Sequence, residues 1–370
     1  MRKKKVCIIS PAVYPLLKKS KKIQTAGGAE AQLLTLGSGL HEKGFDVHYI
    51  VDDFGQKTVE IIRGVAAQKV PLRYMGGKNR HIVVDWARLL LVLKRIHADV
   101  HLIKLPRNLL LPVGLFSRLF RKKLIFIGQI DNDVDPEFIK KNENLYSYLF
   151  FKAGLAFVDF IVAQNENQKA GFAKAFGKRS RVIKSFLTLP EAEGKTDKGY
   201  VLWVGNDLPK KQPHFFVELA KQLPQYRFKM IMSRTGYQFS LPIIEQAGQV
   251  PNLEFLGFVP FSEIHEHFQK ASLFVSTSKR EGFPNTFLQS WQYETPVVSL
   301  SVNPDSVIDR FELGEVCCTF DRLCEQVDQL MHDESERCRR GGNGKKYVNQ
   351  NHSVEIVLEQ YLSVFNELGV

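Results

Sequence analysis

Cysteine is scarce in this chain of 370 residues, with only Cys7, Cys317, Cys318, Cys324 and Cys338. The number is odd and no CxxC or other zinc-ligand spacing occurs, so a disulfide framework and a zinc module are both excluded, and a reducing, cytoplasmic compartment is expected. Long apolar runs are missing too. The richest stretch, His101 to Phe120, is broken by Lys104, Pro106, Arg107, Asn108 and Arg118, whereas a spanning helix needs about 20 apolar residues in a row. Behind the basic start, Met1 to Lys5, the apolar run covers only Val6 to Ile9, too short for a secretory signal. Glycine (26) and proline (16) are too few for a collagen-like or low-complexity chain. No RNP, zinc-finger or helix-turn-helix signature accompanies the net charge of +12, so nucleic acid is not the expected partner.

What is present is an apolar fraction of 44%, enough for two domains of ordinary size with a core in each. Charge divides unevenly along the chain. Up to Pro190 there are 33 Lys and Arg against 15 Asp and Glu, and beyond it 18 against 24. A basic half joined to an acidic half points to contact of the first half with an anionic surface. Leu109 to Leu111, Leu115, Phe116, Leu119 and Phe120, interleaved with Arg107, Arg118, Arg121, Lys122 and Lys123, suit peripheral contact with an anionic membrane.

Period-2 and period-3.6 patterns alternate. Strands are expected at Val6 to Ser10, Phe45 to Val51, Val100 to Ile103, Lys123 to Ile127 and Asp159 to Ala163, with helices at Ala29 to Leu40, Val84 to Ile96 and Leu145 to Phe157. The pattern restarts after the polar stretch Pro190 to Gly199. Strands follow at Tyr200 to Gly205, Tyr226 to Met232, Leu253 to Val259, Leu273 to Thr277 and Pro296 to Leu300, and helices at His214 to Leu223, Glu263 to Lys270 and Thr286 to Tyr293. Such alternation specifies α/β domains with parallel, doubly wound sheets. The boundaries read 1–190 and 191–352, with a helix over 353–370 free to pack back on the first domain. Ligands of open α/β sheets bind at the carboxyl ends of the strands, so a cleft between two such domains is the expected site.

Three loops at strand ends carry the chemistry. The first, Pro11 to Gly28, contains Lys18, Lys19, Lys21 and Lys22 and ends in Gly27-Gly28-Ala29-Glu30 at a helix start. Paired glycines let a ligand approach the backbone, and first-turn amides favour an anion; a plain tight turn is the alternative. The second, Val204 to Pro213, offers Lys211 as a point charge for a phosphate, against the alternative of an exposed Lys210-Lys211 pair. The third, Arg280-Glu281-Gly282-Phe283-Pro284-Asn285-Thr286-Phe287-Leu288-Gln289, enters a helix with Asn285 as the expected N-cap. Here Glu281 can accept hydrogen bonds from sugar hydroxyls.

These segments, in this order, resemble glycosyltransferase family 4, whose members are retaining, sugar-nucleotide-dependent enzymes of the GT-B fold. The resemblance is strongest from Tyr200 to Ile308, through WVGNDLPKK, LEFLGFVP, VSTSKREGFPNTFLQSW and PVVSL, and looks like bacterial polysaccharide-assembly members. It implies two Rossmann-like domains facing across a cleft, the first binding the acceptor and the second the nucleotide sugar. By the same resemblance Gly27, Gly28, Asn206, Lys211, Asn285 and Thr286 bind the donor diphosphate. Glu281, Gly282, Phe283 and Pro284 cradle the transferred sugar, and Glu281 and Lys211 are catalytic. Gln289 takes the place of the usual ribose-binding acid, Asn206 that of an arginine, and Gln129-Ile130-Asp131 that of a His-Asp pair, leaving Asp131 on the acceptor side.

The expected reaction moves a sugar from a UDP- or GDP-linked donor to a saccharide or lipid-linked saccharide, in cell-surface polysaccharide biosynthesis at the inner face of the membrane. No cofactor is expected. No metal is expected either, because the DxD-like run Asp131, Asp133, Asp135 lies in the half opposite the donor loops and reads as a polar turn. Two alternatives stay open. One is a sugar-nucleotide-binding protein without catalysis. The other is a dinucleotide oxidoreductase, suggested by Asp52 and Asp53 but opposed by the lack of GxGxxG.

Overall fold

The computed structural model describes residues 2–18, 27–72, 82–104, 106–129, 131–142, 145–191, 198–233 and 240–370. Lys19, Lys21 and Lys22 of the first loop lie outside them. Two units emerge: Met1–Phe186 together with Val354–Val370, and Leu187–Ser353.

The first unit is built on strands β1 (Lys5–Ile9), β2 (Asp46–Val51), β3 (Val59–Ile62), β4 (Val65–Lys69), β5 (Val100–Ile103), β6 (Lys123–Ile127), β7 (Phe160–Ala163) and β8 (Arg181–Val182), in the order β3-β4-β2-β1-β5-β6-β7-β8. All neighbours run parallel except β3 and β4. Strand β1 explains the arrangement. Its residues alternate between two cores, Val6 and Ile8 on one face and Cys7 and Ile9 on the other. A strand covered on both faces must be apolar throughout, as the run Val-Cys-Ile-Ile is.

The sequence patterns did not reveal the β3–β4 hairpin. Its turn is the pair Arg63 and Gly64, both with positive φ (51° and 81°), the two-residue geometry that matches the natural twist of paired strands. Strand β3 leaves every second residue exposed, so it carries little apolar signal.

The second unit holds β9 (Tyr200–Asn206), β10 (Phe228–Ser233), β11 (Leu253–Gly257), β12 (Ala271–Ser276), β13 (Val297–Ser299) and β14 (Gly314–Val316), ordered β11-β10-β9-β12-β13-β14 and parallel throughout. Here too one strand feeds both faces: Val201 and Trp203 join one core, Tyr200 and Leu202 the other.

The division falls four residues earlier than the expected boundary at Pro190. Leu187 and Leu189 pack on the core of the second unit, and Tyr293 Oη donates to the Pro190 carbonyl at 2.7 Å, so this stretch is held by the domain that follows it. Residues 192–197 of the expected linker lie outside the described part.

The helix Val354–Glu367 belongs to the first unit. Val357, Leu358, Tyr361, Val364 and Phe365 recur on one helical face and enter the core formed by Leu33, Leu36 and Leu40 of the helix Gly28–Glu42. Arg181 clamps Glu367 with two hydrogen bonds of 2.8 and 3.0 Å.

Candidate functional site

In the second unit β9 and β12 are parallel neighbours, so the chain leaves both strands at one carboxyl edge. After β9 it makes a single 3-10 turn, Pro209–Lys211, and reverses at Gln212 (φ 48°, ψ 52°) before the helix Pro213–Gln222. Proline suits the first helical position because its fixed φ is helical and no amide hydrogen is needed there.

Thr277, fully buried at the end of β12, ties this turn down. Its hydroxyl donates to the Lys211 carbonyl at 2.7 Å and accepts from Trp203 Nε1 at 2.9 Å. The Lys279 amide donates to the Lys210 carbonyl at 2.8 Å. Two loops separated by about 70 residues of sequence are therefore laced together through their backbones.

That lacing sets the charged group. Lys211 Nζ lies 2.8 Å from Glu281 Oε1, and Lys210 Nζ 3.8 Å from Glu281 Oε2. The Lys211 and Glu281 side chains are only 17% and 12% exposed, so the pair is partly desolvated. Burial pushes the Glu281 carboxyl up, but the charges of Lys211 and Lys210 and hydrogen bonds from Lys211 and Ser278 outweigh it and hold the group below the usual carboxylate range. Two cations then face one anion, and the surplus positive charge can receive a phosphate. Lys210, which could have been a plain surface lysine, shares this role.

Beyond Glu281, Gly282, Phe283 and Pro284 are buried. The Phe283 ring packs on His352, with centroids 4.7 Å apart, so only its backbone is left to meet a ligand. The helix Asn285–Gln292 begins one residue earlier than expected: Pro284 is the N-cap, in extended geometry (φ −65°, ψ 125°), and its carbonyl accepts from the Phe287 amide at 3.1 Å. Asn285 is thus the first helical residue rather than the cap. The cause is Pro284 itself, whose fixed φ fits the turn and whose side chain offers no capping oxygen. Asn285 and Thr286 stand half-buried in the first turn, where the helix dipole is positive.

Gln289 is 4% exposed, and its Nε2 has no hydrogen-bond partner among the described residues. The Oδ1 of Asn206 at the end of β9 is likewise buried without one. Orphaned buried polar atoms cost about 1–3 kcal/mol each, and a ligand hydroxyl or phosphate can satisfy such atoms.

Gly27 and Gly28 lie in the first unit, at the start of the helix Gly28–Glu42, and both are exposed. Gly27 is extended (φ −100°, ψ −173°), and its amide donates to Glu30 Oε2 at 3.0 Å. A tight turn needing left-handed backbone is therefore not the reason for glycine at 27. Asp131 opens the 3-10 turn Asp131–Val134, and its side chain lies outside the described residues. Its neighbours are structural, as a polar turn requires: Asp133 is buried against Arg107, and Asp135 Oδ1 accepts from the Glu137 and Phe138 amides, each at 3.1 Å.

The sequence reading missed two features. One is the Trp203–Thr277 relay, signalled only by Ser276-Thr277-Ser278 at a strand end. The other is Lys104, 2% exposed directly after β5. It hydrogen-bonds Gln32 Oε1, which also accepts from Gln164 Nε2 at 3.0 Å. Burial pulls the Lys104 amine down to about 8, with Glu30 and Asp133 opposing the shift. A lysine ending the apolar run Val100-His101-Leu102-Ile103 was the available signal.

Replacing Thr277 with valine removes the hydroxyl and leaves the Trp203 donor orphaned. An unfolding free energy lower by about 1–3 kcal/mol is expected in urea titration, with serine restoring most of it.

Residues 186–347 match the family model described as Glycosyl transferases group 1. A capsular polysaccharide biosynthesis glycosyltransferase of Staphylococcus aureus, CapM, is 28% identical over 158 residues, which cover 38% of this chain and 40% of CapM. That match spans less than two thirds of CapM. Among solved structures, sucrose-phosphate synthase from Thermosynechococcus elongatus superposes with a TM-score of 0.81 at 15% identity, over 99% of each chain. HepE from Anabaena, solved in complex with UDP-glucose, gives 0.75 at 15% identity, over 98% of this chain and 99% of that one. The chain therefore has the GT-B fold, and its residues 186–347 are similar to the glycosyl transferases group 1.

Proposed function

We propose that this chain is a retaining glycosyltransferase that moves a sugar from a UDP- or GDP-linked donor to a saccharide or lipid-linked saccharide in cell-surface polysaccharide assembly, without a metal. The observation that carries this reading is the Lys211–Glu281 pair, with Lys210 beside it, at the carboxyl edge of β9 and β12. The name of CapM and the UDP-glucose in the HepE structure support it.

Transfer needs the leaving diphosphate stabilised as its bond to the anomeric carbon breaks. Lys211 and Lys210 supply positive charge held in place before the reaction, and the first turn of Asn285–Gln292 adds its dipole. Glu281, anionic at neutral pH, orients the sugar hydroxyls and favours positive character at the anomeric carbon. The departing phosphate oxygen accepts the acceptor's proton on the same face. Gln289 Nε2 donates to a ribose hydroxyl.

A panel of UDP- and GDP-sugars, read by thermal shift and then by product analysis, tests the proposal. The matching donor is expected to raise the midpoint, because ligand binding to the native state stabilises it. Transfer is expected to persist in chelator and to retain the anomeric configuration. No stabilisation by any sugar nucleotide would sink the assignment, and activity lost to chelator and restored by Mg²⁺ or Mn²⁺ would sink its metal-free part. The orphaned atoms of Asn206 and Gln289 favour a second reading, donor binding without transfer. Stabilisation by a donor with neither transfer nor donor hydrolysis would establish it.

A further inference from the structure

A second positively charged site lies in the first unit, at the edge of its sheet where β6 and β7 begin. That is the opposite edge from Lys104. A cavity of about 680 Å³ opens there, and Ser117, Arg118, Arg121, Lys122, Lys123 and Asp159 supply its polar lining. Four cations face a single carboxylate. Asp159 is engaged already, accepting from the Leu124 amide at 2.8 Å and standing 4.0 Å from Lys123 Nζ. Among the described residues, Arg118, Arg121 and Lys122 have no carboxylate within ion-pair distance; Lys122 Nζ meets only His97 Nε2, at 3.3 Å.

The backbone gives a second observation. The helix Leu110–Leu119 ends in a turn whose Lys122 amide donates to the Ser117 carbonyl at 2.7 Å, with Arg121 at φ 52°. Glycine is the usual residue at such a left-handed position, and any other costs about 1 kcal/mol. The attraction of cations to a helix C-terminus accounts for basic residues in this turn, but it does not require arginine at the one strained position.

The third observation is the apolar surface that neighbours these cations in the chain. Leu115, Leu119 and Phe120 are 47%, 76% and 37% exposed beside these cations. The sequence pattern had grouped Arg107, Leu109, Leu110 and Phe116 with them, but the fold buries all four. Exposed large apolar side chains next in sequence to the cations of such a hollow suit an anionic bilayer, whose phosphates would enter the hollow while the apolar residues reach the acyl boundary.

We propose that this cavity and the exposed Leu115, Leu119 and Phe120 form a docking site for anionic phospholipid headgroups of a bilayer. The proposal does not depend on catalysis, and its test requires no transfer reaction. The full chain is floated with vesicles of phosphatidylcholine alone and of phosphatidylcholine with phosphatidylglycerol, and is expected to rise only with the second. Each cation removed lowers the partition coefficient about fivefold, the value of one basic residue near such a surface. Arg121→Gly is the decisive variant, since it removes a cation and relieves the strained backbone: it is expected to bind more weakly while its thermal midpoint stays equal or rises. Leu119→Ser is expected to weaken binding at constant charge. Failure of the wild type to float, or unchanged flotation of both Arg121→Gly and Arg118→Ala, would overturn the proposal. So would binding to RNA that depends on Arg121 in the absence of vesicle binding.

Discussion

Lys211→Ala is expected to lower turnover about 10²-fold, the scale set by removing one donor that stabilises transition-state charge. Stability is expected to change by less than about 1 kcal/mol, because Lys210 remains 3.8 Å from Glu281 and the group is still partly wet. This contrast separates a catalytic role from a structural one. Glu281→Gln keeps the shape and removes the anion, and a comparable fall in turnover is expected. Removing the carboxylate also leaves the lysines free to grip the diphosphate, so the Michaelis constant for the donor is expected to stay level or fall. Steady-state kinetics with the donor identified by thermal shift would decide it; unchanged turnover in Lys211→Ala would remove that residue from the mechanism.

Phe365→Ala is expected to cost the first unit about 3–5 kcal/mol, the range for deleting a buried aromatic ring. Phe365 is 1% exposed and packs edge-on against Phe45, with centroids 5.6 Å apart. The adjacent Arg181–Glu367 pair is roughly half exposed and cannot offset a loss of that size. Urea unfolding followed by circular dichroism provides the measurement, and a loss below about 1 kcal/mol would mean that the last helix is an appendage rather than part of the core.

The candidate site was legible in part. Lys211 and Glu281 each stood out, since a lysine in a strand-to-helix loop and a carboxylate before Gly-Phe-Pro are local features. Their mutual contact was not legible, because it depends on β9 and β12 being neighbours and on Thr277 linking their loops through the Lys211 carbonyl. The Asn285 cap failed for a local reason: the sequence held a good capping residue, but Pro284 already had the backbone geometry of the cap.

By itself the sequence determined most of the parallel strands and several of the helices flanking them, because burial on both faces leaves an apolar run, as in Val6 to Ile9, and burial on one face leaves a periodic stripe, as in Val354 to Phe365. Other features were decided only in three dimensions. Glycine disfavours a helix by about 1 kcal/mol per residue, yet Gly341, Gly342 and Gly344 all lie within the helix Glu334–Asn351. A Cβ at Gly341 would stand 2.2 Å from the Glu294 carbonyl oxygen, and one at Gly344 2.6 Å from Trp291 Cδ1. Close packing of the Asn285–Gln292 region against this helix demands the absence of side chains there, and local propensity yields to it because the contact joins segments that only the folded chain brings together.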